Sequence, residues 1–308
     1  MRQSDYRSLA FVALTIASFI MPFVFAPLSF VAGVGFFILN LSLAFICTLV
    51  THNQIHCPTF ASPWMNRALE LALTIARGST VTGMIVPHSL NHHPHNGSSE
   101  DWIRVDLAGE GPYLVRLCRY TWVALKSVAR EKSRSNAPRL TATQRRHLLQ
   151  EKAVLYGVIA AFLAWNPMLA LTVVGLPWIF AMLTLLGTTI LQHEGCDPLS
   201  FYDHSRNFES SIMNWFFLNN GYHTAHHLFP EMHWSELPAV HAKIASQIDP
   251  ALNEWAVLPF VMREISAPPR TTRASMSKFE IESPVEGSPA VARRSEPPDR
   301  SRDHSARG

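Results

Sequence analysis

Polar and apolar residues are sharply separated along this chain. No charged residue occurs from Leu9 to Val50, and none occurs from Ala153 to Gln192. A helix needs about 20 residues to cross a hydrocarbon core about 30 Å thick, so each stretch is long enough to cross twice. The pattern predicts an all-α integral membrane protein with four transmembrane helices arranged as two hairpins.

Breaks within the two apolar stretches set the predicted boundaries. Pro27 favours a turn and predicts spans over residues 9–26 and 27–50, after a polar lead of residues 1–8. The second hairpin turns either at Asn166-Pro167 or near Gly175–Pro177, and its spans are predicted over 153–171 and 174–192. Residues 59–86 are predicted to form a helix at the interface or buried against protein. Residues 9–265 then make one membrane domain, and the Pro-, Ser- and Arg-rich residues 266–308 are predicted to be disordered.

Composition and charge narrow the function classes. Arg2 and Arg7 precede the first apolar run as in a cleavable signal peptide, but a second apolar run follows Pro27 where a polar mature sequence would begin. The net charge of +3, without a basic stripe and interleaved aromatic residues, argues against nucleic-acid binding. The four cysteines form no C-x-x-C pair, so they are predicted to be free thiols.

Eight of the 15 histidines fall into three groups, each beside an apolar segment. The groups are His52 and His56; His88, His92 and His93; and His223, His226 and His227. Histidines spaced at i, i+3 and i+4 share one helix face, and imidazole is the commonest metal-ligating side chain. A tetrahedral zinc ion takes four ligands, so eight imidazoles suggest two ions, and nitrogen ligands suit iron, copper or zinc.

The predicted topology brings these groups to one side of the membrane. If the N-terminus is cytoplasmic, each hairpin returns the chain to the cytoplasm just before a histidine group. A helical cap carrying all the histidine groups, and both termini, would then be cytoplasmic. The basic residues of segment 51–152 fall on the same side, as the positive-inside tendency favours.

The three groups read His-x3-His, His-x3-His-His and His-x2-His-His, and set around two membrane hairpins they resemble the histidine boxes of the integral-membrane fatty acid desaturase family. The most specific part is Asn-Gly-Tyr-His-x-x-His-His-Leu-Phe-Pro, residues 220–230, and the resemblance covers roughly residues 9–245. It implies a membrane-bound non-haem di-iron oxidoreductase that uses O2 to desaturate a fatty acyl or other lipid chain. It also implies that a separate ferredoxin, rubredoxin or cytochrome delivers the electrons.

The resemblance further implies a set of metal ligands. They are the eight box residues His52, His56, His88, His92, His93, His223, His226 and His227, together with His193, which follows the last span. The extra His95 departs from the usual second box, so either His95 or His88 is expected to lie beside the ligands instead of among them. His204, His233 and His241 are expected at the surface or beside the ligands, and His147 and His304 facing solvent.

Other side chains near the boxes have expected roles. Of the carboxylates Glu194, Asp197, Asp203, Glu209 and Glu231, the sequence favours Asp197 and Glu209 as groups that orient ligand imidazoles through their second N–H. Trp215 and Phe216 are expected to line an apolar substrate channel.

Three other functions compete with desaturation. The same oxidant could hydroxylate an acyl, alkyl or carotenoid chain. A metal transporter would place ionisable groups within the spans, whereas both apolar blocks lack charge. A metalloprotease is disfavoured because His193-Glu194 is not followed by the second histidine of H-E-x-x-H.

Overall fold

The structure, a computed structural model, describes residues 1–269. Most of the tail predicted to be disordered, together with His304, therefore lies outside the described residues. The helices are α1 (Asp5–Val24), α2 (Phe30–His56), α3 (Pro63–Arg77), α4 (Thr82–His95), α5 (Tyr113–Lys132), α6 (Ala142–Trp165), α7 (Pro167–His193), α8 (Ser211–Phe216), α9 (His223–Leu228), α10 (Leu237–Ile244) and α11 (Val257–Ser266). Two short parallel strands, β1 (Asn207–Phe208) and β2 (Asn253–Glu254), pair with each other.

Four of these helices, α1, α2, α6 and α7, are long and apolar enough to cross a membrane. Helices α3 and α4 pass the same test together, but they are bent by 81° at the break between them, as in a broken span or a re-entrant loop. The predicted helical fold with two hairpins of candidate spans is confirmed.

The helices extend beyond the predicted apolar segments. Helix α2 continues to His56, past the predicted end at residue 50, so it carries the first histidine group on its last turns. Helix α6 begins at Ala142, well before residue 153, because the Thr141 hydroxyl accepts a hydrogen bond from the Gln144 amide and the Gln144 side chain accepts one from the Thr141 amide. Apolarity marks the part of a helix that suits hydrocarbon, and a helix can project further into water.

The second hairpin turns at Asn166, not between residues 171 and 174 as the predicted spans require. Asn166 Oδ1 accepts hydrogen bonds from the amides of Met168 and Leu169, each at 3.1 Å. Pro167 occupies the first position of α7, where its missing N–H leaves no hydrogen bond unmade. The Asn-Pro pair therefore decides the turn, and the chain continues as helix through Gly175 and Pro177.

A buried amide joins the two hairpins. Asn40 in α2 is fully buried, and its Nδ2 donates to the Val173 carbonyl of α7 at 2.7 Å. Val173 lies in a π-helical stretch of α7, Ala170–Gly175. Around this contact Phe19 and Phe23 of α1 pack against Trp178 and its neighbours. A buried side-chain amide that donates across two apolar helices can thus fix their register.

A buried carboxylate anchors the α3–α4 pair to α6. Glu151 is fully buried, and its Oε1 accepts from Arg67 Nη1 at 2.6 Å and from the Thr82 hydroxyl at 2.7 Å. Its Oε2 accepts from the Thr82 amide at 2.9 Å. Two of these bonds hold Thr82 at the start of α4, the helix that carries the second histidine group, and the third holds Arg67 of α3.

The bend between α3 and α4 depends on Gly78. Its φ of +69° lies in the left-handed region, and a Cβ there would overlap the Trp178 ring. We expect Gly78→Ala to destabilise the protein by about 1–3 kcal/mol, from backbone strain alone, as a lower midpoint of thermal unfolding in detergent. Gly157→Ala in α6 is the control, because a Cβ there meets no atom within 4 Å and alanine favours a helix. Equal midpoints for the two variants would contradict this account.

Candidate metal centre

The first histidine group lies at the C-terminal end of α2. His52 and His56 are one turn apart on the same face, with ring centroids 5.1 Å from each other. His52 is buried, and its ring centroid lies 4.4 Å from that of His226 in α9. The predicted sharing of one helix face is observed.

The second histidine group lies on α4, where residues Ile85–His92 form a π-helix. The α-helical spacing predicts His88 and His92 on one face. In a π-helix the backbone hydrogen bonds join residues i and i+5. His88 is therefore paired with His93 instead, and their Nε2 atoms are 3.1 Å apart. His92 consequently points to a different set of neighbours, the rings of His193 and His227.

The third histidine group lies on the short helix α9, which a tight turn and β1 hold in place. The Gly221 amide donates to Asn214 Oδ1 at 3.0 Å, and a Cβ on Gly221 would overlap the Phe208 carbonyl, so this turn requires glycine. Asn207 Oδ1 accepts from the Thr224 amide at 3.0 Å. These contacts account for the Asn-Gly that precedes the third group.

The nine histidines implied by the resemblance come together from α2, α4, α7 and α9. Their potential ligand atoms fall into two groups, each with all atoms within 4.8 Å of one another. The five-histidine group contains His52, His56, His88, His93 and His226, and the three-histidine group contains His92, His193 and His227. His223 belongs to neither group but borders the smaller one, because its Nε2 lies 2.9 Å from that of His193 and 3.1 Å from that of His227.

The protonation of these imidazoles fits a metal centre. Burial, reinforced by neighbouring imidazoles, lowers the pKa of His223, His226 and His227 well below the ordinary value, so these rings are neutral at pH 7. A neutral imidazole keeps one nitrogen lone pair free for a cation. His56 Nε2 and His93 Nδ1 are buried and have no hydrogen-bond partner among residues 1–269. The clustered ring nitrogens thus suit cations, and none of the four cysteines belongs to either group.

Hydrogen bonds from the far side of three rings turn Nε2 toward the centre. His92 Nδ1 donates to Asp101 Oδ2 at 2.9 Å, and His193 Nδ1 donates to the His204 carbonyl at 3.1 Å. His52 Nδ1 lies 3.3 Å from Asn53 Oδ1. An N–H held at Nδ1 leaves the lone pair on Nε2, the arrangement that metal-binding histidines require.

Asp101 was not among the carboxylates expected to orient the ligands. It is almost fully buried and also accepts from the amides of Gly97 and Ile103, each at 2.9 Å. Burial alone would raise the pKa of Asp101, but His92 and these hydrogen bonds outweigh it and the pKa is lowered. Asp101 is therefore a carboxylate at neutral pH, as an acceptor for the His92 N–H should be.

The carboxylates that the sequence favours lie elsewhere. Asp197 Oδ1 accepts from the Leu199 amide at 2.9 Å in a loop, and Glu209 accepts from His241 at 2.7 Å. Glu194 forms an ion pair with Arg116. Asp203 accepts from the Asp249 amide, and Glu231 is exposed. The sequence feature that corresponds to this role of Asp101 is the Asn96-Gly97 turn, which folds the chain back onto α4. Its meaning becomes clear only once the structure is known.

The remaining histidines described by the structure stand apart from the two groups. His95 is 37% exposed and contacts Glu100 at 3.0 Å, so the extra residue of the second box, and not His88, lies outside the cluster. His233 is buried against Asp5 at 2.7 Å, and His147 is partly exposed near Glu70. His204 is buried with its ring centroid 5.4 Å from that of His227.

An apolar cavity of about 320 Å³ opens onto the histidines. Its wall includes His52, His88, His92, His193 and His223 beside Phe45, Leu49, Leu186, Met213 and Phe217. Trp215 and Phe216, which were expected to line a channel, are instead about half exposed and pack against Phe11. The neighbouring Phe217 follows the last residue of α8, and its ring packs against Phe45 and lines the cavity.

Fold and site together define a helical protein with four candidate membrane spans and a histidine-only centre that could hold two metal ions. A family model described as fatty acid desaturase matches residues 7–257, and the chain belongs to the fatty acid desaturase family. The comparison with curated proteins finds no match.

Proposed function

We propose that this protein is a membrane-bound non-haem di-iron oxidoreductase that desaturates a fatty acyl or other lipid chain. The observation that carries the proposal is the pair of adjacent histidine groups at the wall of an apolar cavity. A nitrogen-rich donor set suits iron, and membership of the desaturase family favours iron over copper or zinc.

The proposed ligands are the nine histidines of the centre, with His223 completing the smaller group. Two iron ions bound there would supply the activation of O2. In the net reaction the chain loses two hydrogens, and O2 with two electrons and two protons becomes two waters. The protein's own part is to hold the imidazoles of His92 and His193 in place through Asp101 and the His204 carbonyl, and to align an apolar chain past the centre.

The proposal also places the histidine cluster and both termini on the cytoplasmic side. His56 ends α2 and His193 ends α7, so both candidate spans finish at the cluster. The start of α1 lies on the same side, since Asp5 contacts His233 just after the third box. A separate ferredoxin, rubredoxin or cytochrome is proposed to reach the centre from that side and deliver the electrons.

Product analysis tests the proposed reaction. We expect lipids from cells that express the protein to contain chains lacking two hydrogens, measured by mass spectrometry against cells expressing the inactive His226→Ala variant. Chains that gain one oxygen instead would establish the alternative, a hydroxylase on the same scaffold. Lipids identical in the two strains, with a purified protein that retains zinc in place of iron, would contradict both.

A further inference from the structure

A buried arginine lies in the wall of the cavity at the bend between α3 and α4. Arg77 is the last residue of α3 and is only 5% exposed. Its Nη1 contacts the Met84 sulfur at 3.6 Å, a weak acceptor, and its Nε has no hydrogen-bond partner among the described residues. Within residues 1–269, Arg77 forms no ion pair. A guanidinium cannot lose its proton at neutral pH, so this is a buried cation without an anion in contact.

Glu151 is the carboxylate that acts electrostatically on Arg77, but its oxygens already accept hydrogen bonds from other residues. Glu151 acts on Arg77 at a distance, but its two oxygens accept from Arg67 and from the amide and hydroxyl of Thr82. Taking a charge out of water is costly unless an opposite charge and hydrogen bonds replace the water. Arg77 therefore needs an acceptor that residues 1–269 do not supply.

Other donors at the same bend are also unsatisfied. Ser79 lines the cavity two residues after Arg77, and its buried hydroxyl has no hydrogen-bond partner within residues 1–269. Trp178, whose ring lies against Gly78, has a buried Nε1 that finds no hydrogen-bond partner in the described part of the chain. Buried polar groups are normally hydrogen-bonded, so the two that line the cavity, Arg77 and Ser79, indicate a place for a ligand oxygen.

We infer that Arg77 and Ser79 form a subsite for the carboxylate of a free fatty acid, which is the substrate. The inference rests on the proposed function and names its substrate class. Arg77 and Ser79 line the same cavity as His52 and His88, together with apolar side chains such as Leu49 and Leu186, so a chain anchored there by its carboxylate would share the cavity with the histidines. A single guanidinium fork matches the two oxygens of a carboxylate.

Anchoring at Arg77 has a consequence for the product. The distance between the carboxylate subsite and the histidines is fixed by the fold, so the attacked carbon is set by counting from the carboxyl end. Fatty acids of different length should therefore be modified at the same carbon number. Modification at a constant distance from the methyl end would contradict this inference.

Binding measurements on the purified, iron-loaded protein in lipid nanodiscs test the subsite directly. The probes are a saturated long-chain fatty acid, its methyl ester, its alcohol and an alkyl phosphate of equal length. We expect the acid to bind about 10- to 100-fold more tightly than the ester or the alcohol. Arg77→Gln should abolish that preference and leave ester binding unchanged, and Arg77→Lys should keep part of it. Arg146→Gln, at an exposed arginine outside the cavity, is the control.

The results separate this inference from the proposed function. An intact iron content with equal binding of acid and ester by the wild-type protein would overturn the subsite and leave the di-iron proposal standing. Acid-selective binding that depends on Arg77 in a protein without turnover would support the subsite and count against the function. Tighter binding of the alkyl phosphate than of the acid would overturn the choice of a carboxylate. Should Arg77→Gln fail to fold, Arg77→Lys and the wild-type comparison of acid with ester still decide.

Discussion

His226→Ala is expected to abolish turnover and to empty the five-histidine group. His226 joins α9 to the other two boxes: its Nε2 lies 3.1 Å from that of His93, and its ring is in contact with His52. Removing it deletes a ligand and opens a gap between α2, α4 and α9. Iron content measured by mass spectrometry should fall from about two ions per chain to about one or fewer, under the proposed pair of sites.

His227→Ala probes the other group, because His227 lies with His92 and His193. We expect a similar loss of turnover with the loss of the other ion. His95→Ala is the matched control: it belongs to the same histidine-rich part of the chain, but it is partly exposed and outside both groups. Full iron content in His226→Ala, or an equal loss of iron in His95→Ala, would contradict the assignment of the metal ligands.

The sequence predicts which histidines gather, but not how they divide. Spacing and the ends of apolar helices are local signals, and they predict the three boxes, whereas His193 was predicted from the resemblance to the desaturase family. The division into two groups depends on the π-helix of α4, which pairs His88 with His93 and turns His92 away. A π-helix depends on packing around the site, and no residue pattern in the second histidine group predicts it.

Long-range partners were harder to predict than ligands. Asp101 looks like one of several acidic residues in a polar loop, and its burial against His92 follows from the path of that loop. In the sequence, Arg77 resembles an ordinary basic residue at the end of a helix. In the structure, Gly78 and the 81° bend place it in the wall of the cavity. By contrast, the turn at Asn166-Pro167 was one of two predicted options, because a side-chain cap is a local event.

Asp101→Asn is expected to weaken iron binding about 10- to 100-fold, although the substitution hardly changes the size of the side chain. In the native protein Oδ2 accepts from His92 Nδ1 and from the Gly97 amide, while Oδ1 accepts from the Ile103 amide. Asparagine has one carbonyl oxygen and one NH2 group, so one of these two positions must present a donor to a donor. If the NH2 group faces His92, the proton of His92 moves to Nε2 and the ring loses its lone pair toward the centre.

Competition with a ferrous chelator measures that affinity without relying on turnover. Glu100→Gln is the matched control, since Glu100 is the adjacent acid but its side chain contacts the partly exposed His95. If Asp101 served only to hold the loop, Asp101→Asn would lower the unfolding midpoint of the metal-free protein and leave the iron affinity of the folded protein unchanged. We expect instead that the iron affinity falls and the unfolding midpoint of the metal-free protein changes little. The reason is that the carboxylate fixes which nitrogen of His92 carries the proton, and this decides whether His92 can bind metal.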